Sequence, residues 1–400
     1  MINQMKVSVL VLTSVYPRSQ EDTEVPWLRA SLRKLAEGGC GVSVVAPSHK
    51  GLKSHAVDGV RVYRYRYAPA ALEILTHDEG APSKIAKNPF LQLLAVPYVI
   101  SGSLKTLFLC FKLKPKIIHV HWPFPHAFMA FFTKIFYRFP IVLNFHGAEL
   151  LLMRKKKWIK PFLKFFIKRA DAVFANSSFT AKRITEVYPR EIEISPYGTT
   201  FGSRRECAAR VGNGKYNALF VGRHIERKGI GYLIKAAALL DADKYQVRIV
   251  GRGDQTEKLK AQAAREAPGQ VVFLGKLSNE DLEKEYRSAG CFVLPAIVDS
   301  RGDTEGLGVV MIEAAEYGVP IVASGVGGIV DVIIDNKTGL LVKEKSPEEL
   351  AAAICRLCGN PDLSAELAKN CRERVGKFFS WERITAKQIE LYQHLIGSRR

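Results

Sequence analysis

Short apolar runs alternate along the chain with longer segments in which apolar residues recur every three or four positions. The short runs are typical of strands buried on both faces, and the longer segments are typical of amphipathic helices. The apolar runs of the first half lie at residues 6–13, 42–46, 60–65, 117–121, 141–145, 172–176 and 192–195. Those of the second half lie at residues 218–221, 246–250, 271–273, 291–294, 320–323 and 339–342. This alternation predicts an α/β protein with two doubly wound, mainly parallel sheets.

A turn-rich polar stretch over residues 196–214 separates the two sets of strands. We therefore predict an N-terminal domain over residues 1–195 and a C-terminal domain over residues 196–378. One amphipathic helix, predicted at residues 381–396, ends the chain. Sheets of this class bind ligands at the carboxyl ends of their strands, so the ligand site is expected in a cleft between the domains.

The densest group of candidate functional residues lies at residues 305–313, after the strand predicted at 291–294. Gly306 and Gly308 permit close approach of a ligand to the backbone, and the free N–H groups at a helix start favour a phosphate. If the helix runs to Gly318, Glu305 and Glu313 stand a little over two turns apart and project along one side of the ligand. A carboxylate is the natural acceptor for sugar or ribose hydroxyl groups.

A second candidate segment, residues 221–229, also follows a strand and leads into a helix. It brings Arg223 and Lys228 to the mouth of the same cleft. Two fixed cations there suit a leaving diphosphate, because the developing charge must be stabilised when its bond to a sugar breaks.

Together with residues 250–253, 273–276 and 325–328, these two segments resemble the ordered motifs of glycosyltransferase family 4. The resemblance covers the second half of the chain and, more loosely, the strand ends at residues 119–122 and 144–149. It implies a GT-B fold, in which two Rossmann-like domains face each other across a cleft and the C-terminal helix (residues 379–400) packs back on the first domain. It also implies metal-independent, retaining transfer of a sugar from a nucleotide donor, with no cofactor. The departing phosphate then helps to take the proton of the acceptor, and no covalent catalyst is assigned.

The resemblance implies roles for single residues. Arg223 and Lys228 would bind the donor diphosphate, Glu305 would hold the transferred sugar, and Glu313 would hold the nucleotide ribose. His146 would face the donor sugar from the N-terminal domain, which makes it a catalytic candidate beside Glu305, Arg223 and Lys228. The remaining donor-binding candidates are Gly251, Lys276, Leu277, Gly306, Leu307 and Gly308. The loop at residues 16–26 lacks the paired glycines of many family members, so its donor contacts must come from polar side chains or other amides.

The chain has 59 Lys and Arg against 39 Asp and Glu, a net charge of +20. Such a balance predicts an anionic partner: nucleic acid, a membrane surface or a phosphorylated small molecule. Residues 1–195 hold 29 of the basic and 13 of the acidic residues, a net +16, which leaves +4 for the rest. The resemblance implies that the N-terminal domain binds the acceptor and the C-terminal domain binds the nucleotide-sugar. The excess therefore belongs to the predicted acceptor domain and points to an anionic membrane surface or an anionic acceptor.

The basic excess is densest over residues 151–170, where eight Lys or Arg and no acidic residue are interleaved with four aromatic residues. A helix over this segment would place Lys157, Lys160, Lys164 and Lys168 on one stripe, a pattern typical of an interfacial helix on anionic lipid. A solvated helix over an ordinary core stripe and a single-stranded nucleic-acid site stay open as alternatives. The acceptor or membrane candidates are His121, Trp122, Lys155, Lys156, Lys157 and Trp158.

Residues 88–111 carry one charge, Lys105, and approach the length of a membrane-spanning helix. Because Pro89 and Pro97 interrupt the segment, we predict a buried or membrane-touching helix, which could flank an acceptor channel, rather than a spanning one.

Four histidines raise the alternative of a metal cluster. His119 and His121 share one face of a strand, and His126 and His146 follow nearby. No acidic ligand has matching spacing, so histidines lining a cleft are the favoured interpretation and no metal is expected. Seven cysteines, an odd number, without a recognisable secretory leader favour a reducing compartment.

These features predict a retaining hexosyltransferase that uses a UDP- or GDP-sugar and is peripheral on the cytoplasmic face of the cell membrane. Its expected acceptor is a lipid-linked or cell-surface glycan or another polysaccharide, and nucleic acid is not expected as a partner. Two alternatives remain: a GT-B nucleotide-sugar epimerase or hydrolase, and a non-enzymatic basic protein that binds membrane or nucleic acid.

Overall fold

The structure, a computed structural model, describes residues 7–78, 80–198 and 214–398. They form two compact units. Unit 1 comprises the chain up to Tyr197 together with the chain from Trp381 onwards, and unit 2 runs from Gly198 to Ser380. The predicted boundary after residue 195 lies close to this division, but most of the turn-rich stretch at 196–214 lies outside the described residues.

Unit 1 contains an eight-stranded sheet. Its strands are β1 (Ser8–Leu12), β2 (Gly41–Pro47), β3 (His55–Val57), β4 (Val60–Tyr65), β5 (Ile117–His121), β6 (Ile141–Phe145), β7 (Ala172–Ala175) and β8 (Glu193–Ile194). Their spatial order is β3-β4-β2-β1-β5-β6-β7-β8. All neighbouring strands are parallel except β3 and β4.

The apolar pattern does not predict β3, which has only three residues and forms a hairpin with β4. Asp58 and Gly59 connect the two strands, and both have a positive φ, 50° and 76°. An Asp-Gly pair is the preferred sequence for a two-residue hairpin turn of this handedness, so the turn is the sequence signal that identifies β3.

The helices of unit 1 are α1 (Pro26–Glu37), α2 (Ala81–Lys87), α3 (Ala95–Leu113), α4 (Pro123–Thr133), α5 (Ala148–Lys155), α6 (Ile159–Arg169) and α7 (Ser178–Thr185). The basic segment was predicted as one helix, and this prediction is wrong because the segment is divided between α5 and α6. Pro161 explains the break: it has no N–H group and is tolerated only in the first turn of a helix, so α6 has to begin just before it. Lys157 consequently lies outside α6.

The helix that ends the chain, α15 (Trp381–Gly397), belongs to unit 1. It packs against α1. The Tyr392 hydroxyl lies 2.7 Å from His119 Nδ1, and Gln388 Nε2 donates to Ser195 Oγ at 2.7 Å. The chain therefore returns to its first unit after completing the second.

Unit 2 contains a six-stranded, wholly parallel sheet in the order β11-β10-β9-β12-β13-β14. Its strands are β9 (Tyr216–Val221), β10 (Tyr245–Val250), β11 (Val271–Gly275), β12 (Cys291–Leu294), β13 (Ile321–Ser324) and β14 (Leu340–Val342). Its helices are α8 (Ile230–Ala237), α9 (Thr256–Glu266), α10 (Asn279–Ser288), α11 (Val309–Glu316), α12 (Ile329–Val332), α13 (Pro347–Gly359) and α14 (Pro361–Phe378).

Every predicted strand is present in one of the two sheets, with ends shifted by at most two residues. In unit 1 the strand order reverses between β1 and β5, and in unit 2 it reverses between β9 and β12. Connections leave opposite sides of the sheet at such a point and open a crevice at the carboxyl ends of the strands. The topology therefore predicts ligand-binding residues in the loops after β1 and β5 in unit 1, and in the loops after β9 and β12 in unit 2.

Candidate active site

Unit 2 buries a cluster of ion pairs where its strand order reverses. After β9, a short 3₁₀ turn at Glu226–Lys228 leads into α8. Lys228 Nζ lies 2.6 Å from Glu305 Oε2, and Arg227 Nη1 lies 3.0 Å from the same oxygen. The Lys228 and Glu305 side chains are only 9% and 10% exposed. Lys228 and Glu305, which were predicted as separate donor ligands, are therefore joined by an ion pair. Arg227, which was not predicted, is the third residue of this cluster.

The charge of Glu305 is fixed by its two cationic partners. Burial alone raises the pKa of this carboxyl group, but the charges of Lys228 and Arg227 outweigh the burial and lower the pKa to about 2. Arg223, four residues before Arg227, is exposed and has no ion pair among the described residues. A carboxylate shared by two cations, with a third cation nearby, leaves the cluster suited to an anionic ligand.

The two predicted glutamates do not share a helix. Gly308 has φ +83°, and α11 begins only at Val309, so Glu305 lies in the preceding loop. Glu313 lies within α11, where its Oε2 accepts a hydrogen bond from Tyr286 at 3.1 Å. The interpretation that both carboxylates project from one helix is therefore wrong. A residue with a positive φ at position 308 stops the helix from extending back to Glu305.

The loop that carries Glu305 rests on the glycine-rich turn after β13. Gly328 N donates to the backbone oxygen of Glu305 at 2.9 Å. Gly327 has φ +59°, and a Cβ atom at this position would overlap the same oxygen. The position of Glu305 therefore depends on the absence of a side chain at residue 327.

We expect Gly327→Ala to lower the free energy of unfolding by about 2–4 kcal/mol, because it combines backbone strain with overlap against a backbone atom. Urea unfolding measures the loss. Gly376→Ala in α14 is the matched control, since its Cβ would meet no atom within 4 Å and its backbone is helical. That control should be neutral or slightly stabilising. Equal stability of the two variants would contradict the packing described for Gly327.

The other donor candidates lie at the same edge of the unit 2 sheet. Gly251 follows β10, and its N–H donates to Gly275 at the end of β11 at 2.8 Å. Lys276 is exposed and Leu277 is half-buried directly after β11, which is two strands away from β9. In the loop before α11, the Leu307 side chain is 2% exposed, so only its backbone is available to a ligand, as it is at Gly306 and Gly308.

The acidic residues of the loop after β12 are used within the protein. Asp299 Oδ1 accepts the N–H groups of Arg301 and Asp303, each at 2.8 Å. Asp303 Oδ2 lies 3.6 Å from Arg227 Nε. Across residues 7–78, 80–198 and 214–398, no group of three or more His, Cys, Asp or Glu is placed to hold a metal ion.

In unit 1, the candidates His121, Trp122 and His146 lie together at the carboxyl ends of β5 and β6. His121 Nδ1 and His146 Nε2 are 3.0 Å apart, and the two rings are nearly parallel. His146 Nδ1 lies 2.6 Å from the Tyr197 hydroxyl, and the Trp122 ring packs 4.7 Å from that of His146. Trp27 stacks on Tyr197 with 4.3 Å between ring centroids. The motifs do not predict Trp27 and Tyr197.

Burial lowers the pKa of His146 to about 3, so this ring is neutral at physiological pH. A neutral imidazole has one donor nitrogen and one acceptor nitrogen. One ring nitrogen of His146 therefore donates a hydrogen bond and the other accepts one, so the donor-to-acceptor direction is the same at both contacts, with Tyr197 and with His121. Tyr197 and His121 fix the orientation of His146.

The four histidines considered together from the sequence lie in different surroundings. His126 is buried between the Tyr98 hydroxyl and the backbone oxygen of Trp122, each 2.8 Å from a ring nitrogen. His119 is buried beneath α15 and bonds to Tyr392. The His121 ring lies between two other histidine rings, 4.5 Å from that of His119 and 5.2 Å from that of His146 between centroids.

The membrane candidates Lys155, Lys156, Lys157 and Trp158 form the exposed junction between α5 and α6. Trp158 makes an edge-to-face contact with Phe124, at 5.8 Å between ring centroids. They lie on the same unit as His121 and Trp122 but in a separate, lysine-rich segment.

The fold and the buried cation–carboxylate cluster define a GT-B glycosyltransferase. A family model described as "Glycosyl transferases group 1" matches residues 208–374, and one described as "Glycosyltransferase Family 4" matches residues 28–199. The two matches together cover most of the chain. The chain therefore belongs to the family 4 type of GT-B glycosyltransferases, as the sequence motifs predict.

Relatives and solved structures agree with this assignment. An uncharacterized glycosyltransferase of Methanocaldococcus jannaschii is 27% identical over 281 residues, which are 70% of this chain and 75% of that protein. The structure of sucrose-phosphate synthase from Thermosynechococcus elongatus superposes with a TM-score of 0.79 at 21% sequence identity. The match covers 98% of this chain and 100% of that protein's chain. The structure of HepE of Anabaena in complex with UDP-glucose superposes with a TM-score of 0.68 at 16% sequence identity. The match covers 97% of this chain and 99% of that protein's chain. The two structural matches establish the fold.

Proposed function

We propose that this glycosyltransferase moves a hexose from a UDP- or GDP-sugar, with retention of configuration and without a metal ion, to a lipid-linked or cell-surface glycan. The reaction takes place at the inner face of the cell membrane. The observation that carries the donor half of the proposal is the buried Lys228–Glu305–Arg227 cluster, with exposed Arg223 nearby, at the switch point of the unit 2 sheet. The UDP-glucose bound by HepE supports a nucleotide-sugar donor.

The cluster suits a sugar diphosphate in two ways. Arg223 and Lys228 bind the diphosphate and stabilise the charge that develops on it as the glycosidic bond breaks. Both cations that hold Glu305 contact its Oε2, which leaves Oε1 to accept a hydrogen bond from a hydroxyl of the transferred sugar. Glu313 binds the ribose, and the backbone of residues 306–308 contacts sugar or phosphate. The contact of His146 with the donor sugar stays a prediction from the family resemblance.

Retention follows from substitution on one face of the sugar. The departing phosphate accepts the proton of the acceptor hydroxyl, so no protein nucleophile is required. Lys228 contributes by keeping a positive charge beside that phosphate, and Glu305 contributes by holding Lys228 in place. The charges of the site are therefore in position before the reaction begins, which is the arrangement that lowers an electrostatic barrier.

The acceptor half of the proposal rests on the charge and exposure of unit 1. Along α6, Lys160, Lys164 and Lys168 are exposed at four-residue spacing, while Leu163 and Phe166 are buried. A helix with one face in the core and a lysine stripe in solvent is suited to an anionic surface. A lipid-linked acceptor would be presented at such a surface.

Nucleotide-sugar binding tests the donor half. We expect one member of a panel of UDP- and GDP-sugars to raise the melting temperature of the protein, and Arg223→Gln to weaken its affinity at least tenfold by calorimetry. Arg265→Gln is the matched control, because Arg265 is 72% exposed near the end of α9, at the opposite edge of the sheet from β9's carboxyl end. Absence of binding by the wild-type protein to every donor, or equal affinity of the Arg223 variant, would contradict the proposal.

Acceptor dependence separates transfer from other chemistry on the same donor. With the donor identified, we expect nucleoside diphosphate release to accelerate when a lipid-linked glycan is added. Equal release without any acceptor would favour hydrolysis, and conversion of the donor to an isomer would favour epimerisation. Product NMR with a successful acceptor reports whether the anomeric configuration is retained.

A further inference from the structure

One helical stretch among the described residues, Pro89–Leu113, is long and apolar enough to cross a membrane by length and composition alone. Its α3 part is fixed to unit 1 along one face. Tyr98, Thr106 and Leu109 are buried on that face, and Gly102 fits so closely against Met129 of α4 that a Cβ atom would overlap it. Because this face is part of the core, α3 lies along unit 1 and is not available as a free spanning helix.

The opposite face of this stretch is apolar and exposed. Its large side chains, which we call the α3 strip, are Phe90, Leu93, Val96, Ile100, Leu104, Phe108 and Phe111, and each is more than half exposed. Val96, Ile100, Leu104 and Phe108 follow one another at intervals of four residues, so they form a continuous line roughly 18 Å long. Exposed apolar residues scattered singly are ordinary, but a continuous line of them marks a binding surface.

Neighbouring helices extend this surface. α4 packs against both α3 and α6, with Phe128 of α4 5.3 Å from Phe162 of α6 between ring centroids. The exposed large apolar residues on α4 and α6 or directly beside their ends are Phe132, Ile135, Phe136, Trp158, Phe162 and Phe165. Three adjacent helices of unit 1 therefore expose apolar side chains. In the described part of unit 2, the exposed large apolar residues are Leu239, Val330, Ile334 and Phe378.

The charges on this part of unit 1 identify its partner. Between residues 80 and 170 the only acidic residue is Glu149, which is buried. Over the same range, exposed lysines and arginines accompany the apolar side chains, among them Lys112, Lys114 and Arg169, whose guanidinium lies 4.2 Å from the ring centroid of Phe165. A second copy of the chain would place cations against cations, which is unfavourable in a symmetric dimer. An anionic lipid surface matches both the apolar line and the surrounding charge.

We propose that the α3 strip lies parallel to the plane of an anionic bilayer, with its side chains inserted at the boundary between headgroups and acyl chains. The lysines of α3 and of the α5–α6 junction sit in the headgroup layer, with their stems along the apolar surface. This inference rests on the proposed action at the membrane and specifies the surface responsible. The protein is then held by insertion as well as by charge.

Vesicle flotation of the full chain tests the proposal. We expect binding to vesicles of mixed phosphatidylcholine and phosphatidylglycerol and weaker binding to phosphatidylcholine alone. The triple variant Leu104→Ser, Phe108→Ser, Phe111→Ser, which we call the α3 variant, should lose at least tenfold in affinity for the anionic vesicles. Its matched control, Leu239→Ser, Val330→Ser, Phe378→Ser, changes exposed apolar residues of unit 2 and should bind as the wild type does. Equal binding by both triple variants and the wild type would overturn the proposal.

Two further readouts identify the occupant. In a Phe108→Trp variant, lipids brominated on the acyl chains should quench the added fluorescence relative to the wild type, and absence of extra quenching would overturn insertion. Sedimentation equilibrium should show the same mass for the wild type and the α3 variant. A wild-type dimer that the variant abolishes would assign the strip to a second copy instead.

Nucleotide-sugar affinity, measured without vesicles, separates this inference from the proposed function. The α3 variant should bind the donor as the wild type does. Absence of vesicle binding by the wild type, with donor binding intact, would refute the membrane surface and leave the proposed donor chemistry unaffected. Vesicle binding without any donor binding would support the surface and refute the proposed donor chemistry.

Discussion

Replacing Lys228 with alanine is expected to reduce kcat for sugar transfer by about two to three orders of magnitude. Removal of one preorganised charge that stabilises a developing anion has an effect of this size. Lys228 is buried, so water does not replace its charge fully. The substitution also leaves Glu305 with Arg227 as its remaining cationic partner, which weakens the arrangement that holds the sugar.

The matched control is Lys235→Ala, which removes an exposed lysine from α8 in the same unit. Initial rates at saturating donor should be unchanged in this control. A Lys228→Ala enzyme with the wild-type kcat would show that the buried ion pair is structural and takes no part in transfer. Unfolding measurements on the same preparations establish that the variant is folded at the assay temperature.

The same variant has a predicted pH signature. In the wild-type protein Lys228 and Arg227 hold the pKa of Glu305 at about 2, so its carboxylate form persists throughout the range in which the protein is assayed. Loss of Lys228 removes one lowering charge while burial remains, and the pKa of Glu305 rises. The acid limb of the residual activity should therefore move to higher pH than in the wild type. An unchanged acid limb would mean that Glu305 does not control activity.

Much of the fold follows from local patterns, because a strand in a parallel sheet is apolar throughout and short. β5 and β6 therefore occur at the predicted residues, and the remaining strands shift by no more than two. The pattern fails where the governing feature is not apolar periodicity. β3 depends on the Asp58–Gly59 turn, and the division between α5 and α6 depends on Pro161. Both are local signals of backbone geometry rather than of burial.

The candidate site was predictable as a set of loops but not as a set of contacts. Lys228 and Glu305 are both readable as residues that follow strands, yet their contact requires β9 and β12 to be neighbours, which only the strand order decides. Arg227 stands beside Lys228 in sequence, and the 3₁₀ turn determines that both reach Glu305. The Trp27–Tyr197 stack joins residues far apart in the chain, so no local pattern contains it.

Lowering the pH from 6.5 to 5 is expected to reduce the free energy of unfolding of unit 1 by an amount on the order of 6 kcal/mol. Burial lowers the pKa of His77, His119 and His146 to about 3 and that of His126 to about 4, and it lowers the pKa of His121 well below its usual value. Between pH 6.5 and these values the unfolded chain takes up protons that the folded chain does not. The stability is therefore fully present above pH 6.5 and declines as the pH falls.

Glu149 changes the stability in the opposite direction, and its contribution is included in the expected loss of unfolding free energy. Burial raises the pKa of its carboxyl group to about 7, so the folded protein accepts this proton before the unfolded chain does. Its contribution to stability is present below its unfolded pKa of 4.5 and is lost as the pH rises through 7. Five histidines outweigh one carboxyl group, so the net effect of acidification is destabilising.

Urea unfolding at a series of pH values, followed by tryptophan fluorescence, measures this loss. Because one proton corresponds to about 1.4 kcal/mol for each pH unit, removing one buried histidine changes the slope by that amount. His126→Gln should therefore flatten the dependence between pH 6 and pH 5 by about one proton, even though it lowers the stability itself. His394→Gln on α15 replaces an exposed histidine and should leave the slope unchanged. A wild-type stability that stays constant from pH 6.5 to pH 5 would mean that these histidines take up protons in the folded protein as readily as in the unfolded chain. That result would contradict the burial of their rings in unit 1.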